Sequence, residues 1–527
     1  MFKMSSQVKV SKALRSPRTD RSILAAAKGG AIVFGGLLFK QGGRFVIGVL
    51  QSRLLGPEQL GMCHLALTAT TVAASLAMLG LTSALVRYVS LSVSRRDTAG
   101  LWGTLQVGLG LPAIVSVFAG AGLFALAGPI AGYVFREPRL VPLLRMVSLA
   151  VPFFALGETT AAATQGFKKM QYAAIARNIS QPLIRLVLLV VLAIIVGLNS
   201  ARALATYTIA VIAVAVMLLY FLNRLFSLRR PLREGRRDTR EMLGFALPVY
   251  LSGLIGTFGG NVKTVLLGAL NTVTSVGIFV VADQVNVIGR LFHGSITAAS
   301  APIISELYDR GEREQLGRFY QTVTKWTFTL NLPMFLIVLL FPGPILSIFG
   351  KSFMDGATAL VILAWANLVD TGTGICGLMI DMTGNTPLKL VNSLVTFVLV
   401  IGLDVLLIPR WGLIGVAVAS VATSVAVNLL RLLEVNFLFR LQPYNRTFLK
   451  SVTAGLIAMA AAWGVRHVFP LDANLVYTAI NVGILLAVYA GMVLVLGLSE
   501  EDRTVLARLR RHAESMLLRN GRHDNQS

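Results

Sequence analysis

Residues 29–90 read GGAIVFGGLLFKQGGRFVIGVLQSRLLGPEQLGMCHLALTATTVAASLAMLGLTSALVRYVS. Two apolar runs, Gly29 to Leu50 and Leu60 to Leu81, are each long enough to cross a hydrocarbon core of about 30 Å. Between them Leu55-Gly56-Pro57-Glu58 supplies a tight turn. The stretch therefore predicts two membrane-spanning helices joined by a hairpin. Lys40 and Arg44 fall near the middle of the first helix, four residues apart and so on one face.

Each such cation at a helix centre costs about 2.5–3.5 kcal/mol, so the pair costs about 5–7 kcal/mol unless it faces water, protein or a ligand. Gln41 lies close to that face, and Gly42, Gly43 and Gly48 let another helix or a substrate approach the backbone. Two readings follow. The pair lines a cavity for an anion, or it neutralises internal carboxylates and holds the bundle together.

Working outward, the remaining chain is of the same kind. It has 527 residues, 55% hydrophobic and 14% charged, with a mean hydropathy of +0.73, which soluble domains do not show. The net charge of +24 would point to nucleic acid in a soluble protein. Here the cations gather between apolar runs, where they set topology, so no nucleic-acid partner is expected. Cys63 and Cys376 both lie inside apolar runs and read as packing residues, with no disulfide or metal site. The basic segment 1–28 carries no cleavage site after a short apolar core, so no removable signal peptide is expected.

Further helices are expected at 102–126, 141–163, 174–198, 201–223, 243–267, 273–297, 323–341, 357–381, 387–408, 412–438, 447–468 and 475–497. With the opening pair that makes an all-α polytopic membrane protein of about fourteen transmembrane helices. A basic cytoplasmic N-terminal segment (1–28) precedes six helices (29–223), a cytoplasmic connector (224–241) with seven arginines from Arg224 to Arg240, six more helices (242–438) and a final pair (439–498). From Ser499 to Ser527, Leu506, Leu509, Ala513 and Met516 recur at helical spacing among arginines, which predicts an amphipathic tail on the membrane surface. With both termini cytoplasmic, about 34 of the 48 Lys and Arg fall inside and about 8 outside, which favours that orientation in the cell membrane.

Setting residue 49 over 265 brings VLQSRLLGPEQLG over VLLGALNTVTSVG, with Gly61 on Gly277. Six helices separate the copies. An even number makes the repeats parallel, with the transport path expected between two six-helix lobes.

Other polar residues stand inside the apolar helices. Asp283, Asn286, Arg290 and His293 recur every three or four residues and form one polar stripe, which lines a cavity or holds an internal Asp283–Arg290 pair. Asn367 and Asp370 sit mid-helix and Asp381 near a helix end. Glu158 either binds an ion or partners Lys40 or Arg44. Lys263 is a candidate outer-gate cation. No phosphate-binding glycine loop, CxxC pair, HExxH or GxSxG occurs in a plausible context. No segment between helices is long enough for an extramembrane catalytic domain, which weighs against a membrane enzyme.

The words SRLLGPEQLG at 52–61 and LGLTSALVRYVS at 79–90, and more weakly the region 243–310, resemble the oligosaccharide flippase (polysaccharide transporter) family. That family lies within the superfamily of multidrug, oligosaccharidyl-lipid and polysaccharide exporters. The resemblance implies a non-enzymatic flippase that moves a polyprenyl-pyrophosphate-linked oligosaccharide across the cytoplasmic membrane by alternating access, for cell-surface polysaccharide synthesis. It implies a cationic cavity of Lys40, Arg44, Arg290 and Lys263 for the pyrophosphate, and H⁺ or Na⁺ coupling through Asp283, Asp370 or Glu158. No other cofactor is implied. Partners would be lipid-linked oligosaccharide, membrane lipids, and the polymerase and glycosyltransferases of the same pathway. An ion-coupled multidrug antiporter and a lipid II flippase of the same superfamily are the alternatives.

Overall fold

The computed structural model describes residues 17–236, 239–468 and 475–496, and among these every regular element is helical. Of the basic segment 1–28 expected to flank the membrane, residues 17–28 are described as backbone alone, and residues 1–16 and the tail 499–527 lie outside the described residues. The chain forms two compact units, residues 1–280 and 281–527.

The first unit opens with α1 (Pro17–Ala77), which breaks at Gly56, where φ is 71° and ψ 175°. A positive φ of this kind is cheap only for glycine, and the Pro57 that follows fits the start of a new helix. The predicted hairpin turn is therefore present. The second arm ends before Leu79 and Gly80, both at positive φ, and the chain resumes as α2 (Leu81–Arg95). The sequence reading ends its second span at Leu81 and places no helix over 81–95. These turns carry Arg87 and Arg95 and so lie beyond the apolar window.

There follow α3 (Thr98–Ala125), α4 (Leu140–Ser148), α5 (Ala150–Gly166), α6 (Met170–Ile195, with a π-helical turn at Ile175–Ser180), α7 (Ser200–Leu225) and α8 (Thr239–Leu270). The pair α4 and α5 bends by 40°. Leu85, Val89, Leu105, Ala163 and Leu222 bury one core of the unit, and Leu81, Ala84, Val107, Met242 and Ala246 another, the latter fixing α8 to α2 and α3.

The connector is held in place rather than free. Trp102 donates its indole N–H to the Pro231 carbonyl at 2.9 Å, and Arg236 pairs with Asp97 at 2.8 Å. Asp97 also caps α3 by accepting from the Gly100 N–H at 2.8 Å. That bond, with the Arg236 guanidinium, holds its carboxyl below the usual carboxylate range.

At the end of the first unit, α9 (Val273–Asp309) crosses the second arm of α1. A Cβ on Gly61 would stand 1.8 Å from the Val273 carbonyl oxygen, and one on Gly277 1.9 Å from that of Pro57. The helices cross at backbone contact. Both contacts have the same offset, since 277 − 61 and 273 − 57 are each 216. This is the register in which the two halves of the sequence align.

In the second unit come the remainder of α9, α10 (Arg313–Leu340), α11 (Ala357–Thr373), α12 (Cys376–Met382), α13 (Thr386–Phe439), α14 (Arg446–Val468) and α15 (Leu475–Val495). Residues 357–381, expected as one helix, are two: Gly374, at φ 71° and ψ −138°, separates α11 from α12. The core here is built on Leu316, Tyr320, Val323, Met379, Ile380 and Val435.

Ten helices among the described residues are long and apolar enough to cross a membrane, or eleven with α4 and α5 taken as one span. One of them covers 53 residues, 387–439, and a straight helix of that length would measure about 80 Å against a core of about 30 Å. It breaks at Gly412 (φ 52°, ψ −122°), as α1 breaks at Gly56. A total of fourteen crossings is compatible with this division. Large apolar residues on the spans are exposed, Ile194 by 79% and Phe437 by 87%, as a lipid-facing surface requires. The chain is a multi-span membrane protein.

Candidate functional site

The polar residues inside the first unit converge. A Cβ on Gly43 would lie 2.9 Å from the Pro182 side chain, so the first arm of α1 and helix α6 approach closely there. Lys40 and Arg44 flank this contact on α1, and Arg177 and Arg185 flank it on α6. Lys40 lies within electrostatic range of Arg44, Arg177 and Glu158. Arg44 in turn is within range of His64 and Arg185. Arg185 donates to Gln51 Oε1 at 3.2 Å and lies 5.4 Å from the centre of the Tyr207 ring.

Among the described residues the cluster brings together Lys40, Arg44, Arg177 and Arg185 with the carboxylate of Glu158. Glu158, on α5, pairs with Arg177 at 2.8 Å, with about a quarter of its side chain exposed. The sequence reading offered Lys40 or Arg44 as its partner. The structure gives Glu158 to Arg177 instead, and Lys40 is a more distant neighbour. Arg177 was missed because α6 was expected to begin at 174, which would have left this residue in the first turn, where a cation reaches the interface. The helix begins at Met170, and Arg177 lies two turns inside, within the π-helical segment. Such a turn carries one extra residue, turns the side chains after it, and recurs at functional sites.

Lys263, on α8, is partly buried within the first unit. The remaining expected residues lie in the second unit and fall into two groups. Asp283 and Arg290 pair at 2.6 Å, each with nearly half of its side chain exposed, so the polar stripe of α9 includes the internal ion pair. Its buried edge carries Asn286, whose carbonyl accepts from Asn367 Nδ2 at 2.9 Å, while Asn331 donates to Thr371 Oγ1 at 3.1 Å.

Asp370 belongs to a separate arrangement. Its Oδ1 accepts from Ser424 Oγ at 2.5 Å and from Asn428 Nδ2 at 2.6 Å. It borders a cavity of about 350 Å³ that is also lined by His293, Asp381, Lys389, Asn428 and Arg431. Asp381 pairs with Lys389 at 2.9 Å, which makes it a structural partner rather than a lone carboxylate. Among the described residues no cluster of His, Cys, Asp and Glu has the geometry of a metal site.

Chemically, the first-unit cluster suits a polyanion. Guanidinium groups present paired N–H donors that match phosphate oxygens, and Lys40 adds a point charge. The second-unit groups, which mix both signs, suit a small cation or a proton.

A family model described as polysaccharide biosynthesis protein matches residues 26–308, and one described as MatE matches residues 248–406. A probable low-salt glycan biosynthesis flippase of Haloferax volcanii is 26% identical over 203 residues, 38% of this chain and 42% of that protein. A capsular polysaccharide biosynthesis protein of Staphylococcus aureus is 22% identical over 199 residues, 38% of this chain and 50% of that protein. The matches thus span half or less of these relatives. Among solved structures, a lipid II flippase in an inward closed conformation superposes with a TM-score of 0.67 at 13% identity, covering 88% of this chain and 98% of that one. At that identity the likeness is one of fold.

Proposed function

The chain belongs to the family of polysaccharide biosynthesis proteins, and from that membership we propose that it is a flippase carrying a polyprenyl-pyrophosphate-linked oligosaccharide from the inner to the outer leaflet of the cell membrane. The observation that carries this reading is the excess of cations in the first unit, Lys40, Arg44, Arg177 and Arg185 against Glu158 alone. A diphosphate diester bears two negative charges and offers the matching acceptor oxygens. The prenyl chain remains in the bilayer, where its transfer is unopposed, while the polar head occupies the charged cavity by alternating access. The names of the two curated relatives, a glycan flippase and a capsular polysaccharide protein, support the same class of cargo. Lys263 and Arg290 remain as further cations for the path, and Asp283 and Asp370 as candidates for H⁺ or Na⁺ coupling.

A multidrug antiporter on this fold would carry cations and so require a net acidic cavity. The cluster on α1 and α6 has the opposite sign. A lipid II flippase would share the diphosphate and is separated from the leading reading only by the sugar.

The test is the appearance of lipid-linked oligosaccharide in the outer leaflet, with protein level measured in parallel. Lys40→Gln and Arg44→Gln are expected to insert and accumulate normally but to lose flipping. Arg44→Lys should retain more activity than Arg44→Gln, because charge survives while the paired donors do not. Native flipping rates in both Gln variants would refute the reading.

A further inference from the structure

Among the described residues, Glu158 is the carboxylate whose ion pair lies in the cation cluster. The groups that face it are Arg177 from the π-helical turn of α6, Lys40 from α1 and Tyr207 from α7. The other helices packed on α5 bring their ionisable groups elsewhere: Arg87 of α2 lies over the Tyr88 and Phe245 rings, and Arg145 of α4 over Phe124. Helix α3 carries no ionisable residue. Nothing on α5 besides Glu158 is charged, and the neighbours Thr159 and Thr160 are fully buried.

We infer that Glu158 is a resident anion: it occupies Arg177 while the cavity is empty and is displaced from that guanidinium by the diphosphate of the cargo. This rests on the lipid-diphosphate reading and gives Glu158 a different part from that of a driving-ion site. The geometry supplies the reasons. The Arg177–Glu158 pair is made at 2.8 Å with 30% and 24% of the respective side chains exposed. It is thus open to an incoming anion yet screened enough for an unpaired guanidinium to be costly. Lys40 lies within electrostatic range of both members, so a diphosphate drawn toward Lys40 and Arg177 competes with the carboxylate for that guanidinium. Two anions cannot share one guanidinium face without repulsion, so binding becomes the exchange of one anion for another.

The consequence for an empty carrier is direct. Without a resident anion, an unloaded carrier would have to change conformation with Arg177 stripped of its carboxylate. Glu158 neutralises that guanidinium for the step. When cargo binds, the displaced carboxylate either stays ionised in cavity water or takes a proton from it. No covalent bond is made or broken.

The exchange predicts a linkage between binding and the charge of Glu158. Competition exists only while the carboxylate is ionised, so affinity for a diphosphate rises as pH falls, and removing the carboxylate abolishes the dependence. The probe is a P1,P2-dialkyl diphosphate, whose two charges do not titrate in the working range. Binding to the purified full chain in detergent is measured by calorimetry from about pH 5 to about pH 8.

The native protein is expected to bind more tightly toward the acid end. Glu158→Gln should bind about tenfold more tightly than native at neutral pH, with no dependence on pH. In an Arg177→Gln background, Glu158→Gln should have a clearly smaller effect on affinity, because the contested guanidinium is gone and only the longer-range influence on Lys40 remains. Melting temperatures confirm that each variant is folded. If Glu158→Gln binds more weakly than native, or keeps the native pH dependence, the resident-anion role is overturned while the diphosphate reading stands. If the folded native protein does not bind the probe at any pH, both fail.

Discussion

Gly61 and Gly277 meet reciprocally, each where a Cβ would collide with the carbonyl oxygen four residues before the other. A two-fold relation imposes this pattern, since position i of one copy must contact position j of the other while j contacts i. The two glycines are also the residues that coincide when the halves of the sequence are aligned.

Because the contact is backbone to backbone, an added methyl group has no flexible neighbour to displace. Gly61→Ala and Gly277→Ala are each expected to destabilise the protein by about 1–3 kcal/mol, the usual cost of overpacking. The double variant should cost clearly less than the sum, because the first methyl already separates the helices. Thermal unfolding in detergent, followed by size-exclusion chromatography, gives the three values. Additive losses would mean that the residues do not share one crossing.

The distribution of cations predicts an orientation, with both termini cytoplasmic, that direct labelling tests. Ser227 and Ala201 are both exposed, at opposite ends of α7. Cys63 and Cys376 are buried and can be replaced by Ala to give a clean background. A cysteine at position 227 should react with an impermeant maleimide only from the cytoplasmic side, and one at position 201 only from outside. Reaction of both from one side would contradict the assigned topology.

Asp370 can be examined for structure and coupling separately. Its carboxylate takes two short hydrogen bonds, from Ser424 and Asn428, and Asn at this position still offers an acceptor oxygen to both. Asp370→Ala removes that acceptor from both, leaving Ser424 Oγ with the Ala366 carbonyl and Asn428 Nδ2 with the Ser424 carbonyl, at about 1–3 kcal/mol. If Asp370 titrates or binds Na⁺ in the cycle, Asp370→Asn should keep its melting temperature and lose the dependence of flipping on the ion gradient. Unchanged gradient-dependent flipping in Asp370→Asn, together with a destabilised Asp370→Ala, would assign the carboxylate to structure alone.

Much of the fold was legible because the membrane imposes one pattern on every span: an apolar run, a break and a basic flank. The breaks at Gly56 and Gly412 are visible in sequence as glycine beside proline or between apolar runs. What hydropathy does not report is where a helix goes once it leaves the lipid. Helix α2 continues to Arg95, α10 begins at Arg313 rather than 323, and α6 begins at Met170. The last of these hid Arg177, whose depth could be known only once the start of the helix was known. Likewise the charges Lys40, Arg44 and Glu158 stand out singly in apolar sequence, but their pairing depends on which helices touch. Gly43 against Pro182 settles that, and no spacing in the chain announces it.

The packing boundary at Val280 bears on how the chain is made. As the polypeptide leaves the ribosome, the first six helices and the connector are complete well before Met242 and Ala246 arrive to cover Leu81, Ala84 and Val107, and before Gly277 reaches Gly61. Until then an apolar face of the nascent first half stays open in the bilayer. A fragment cut at the connector, the cut that the sequence most invites, would keep that face uncovered. One extended to Val280 carries its own cover, so a split version of this protein expressed as two chains should be divided after the first turns of α9.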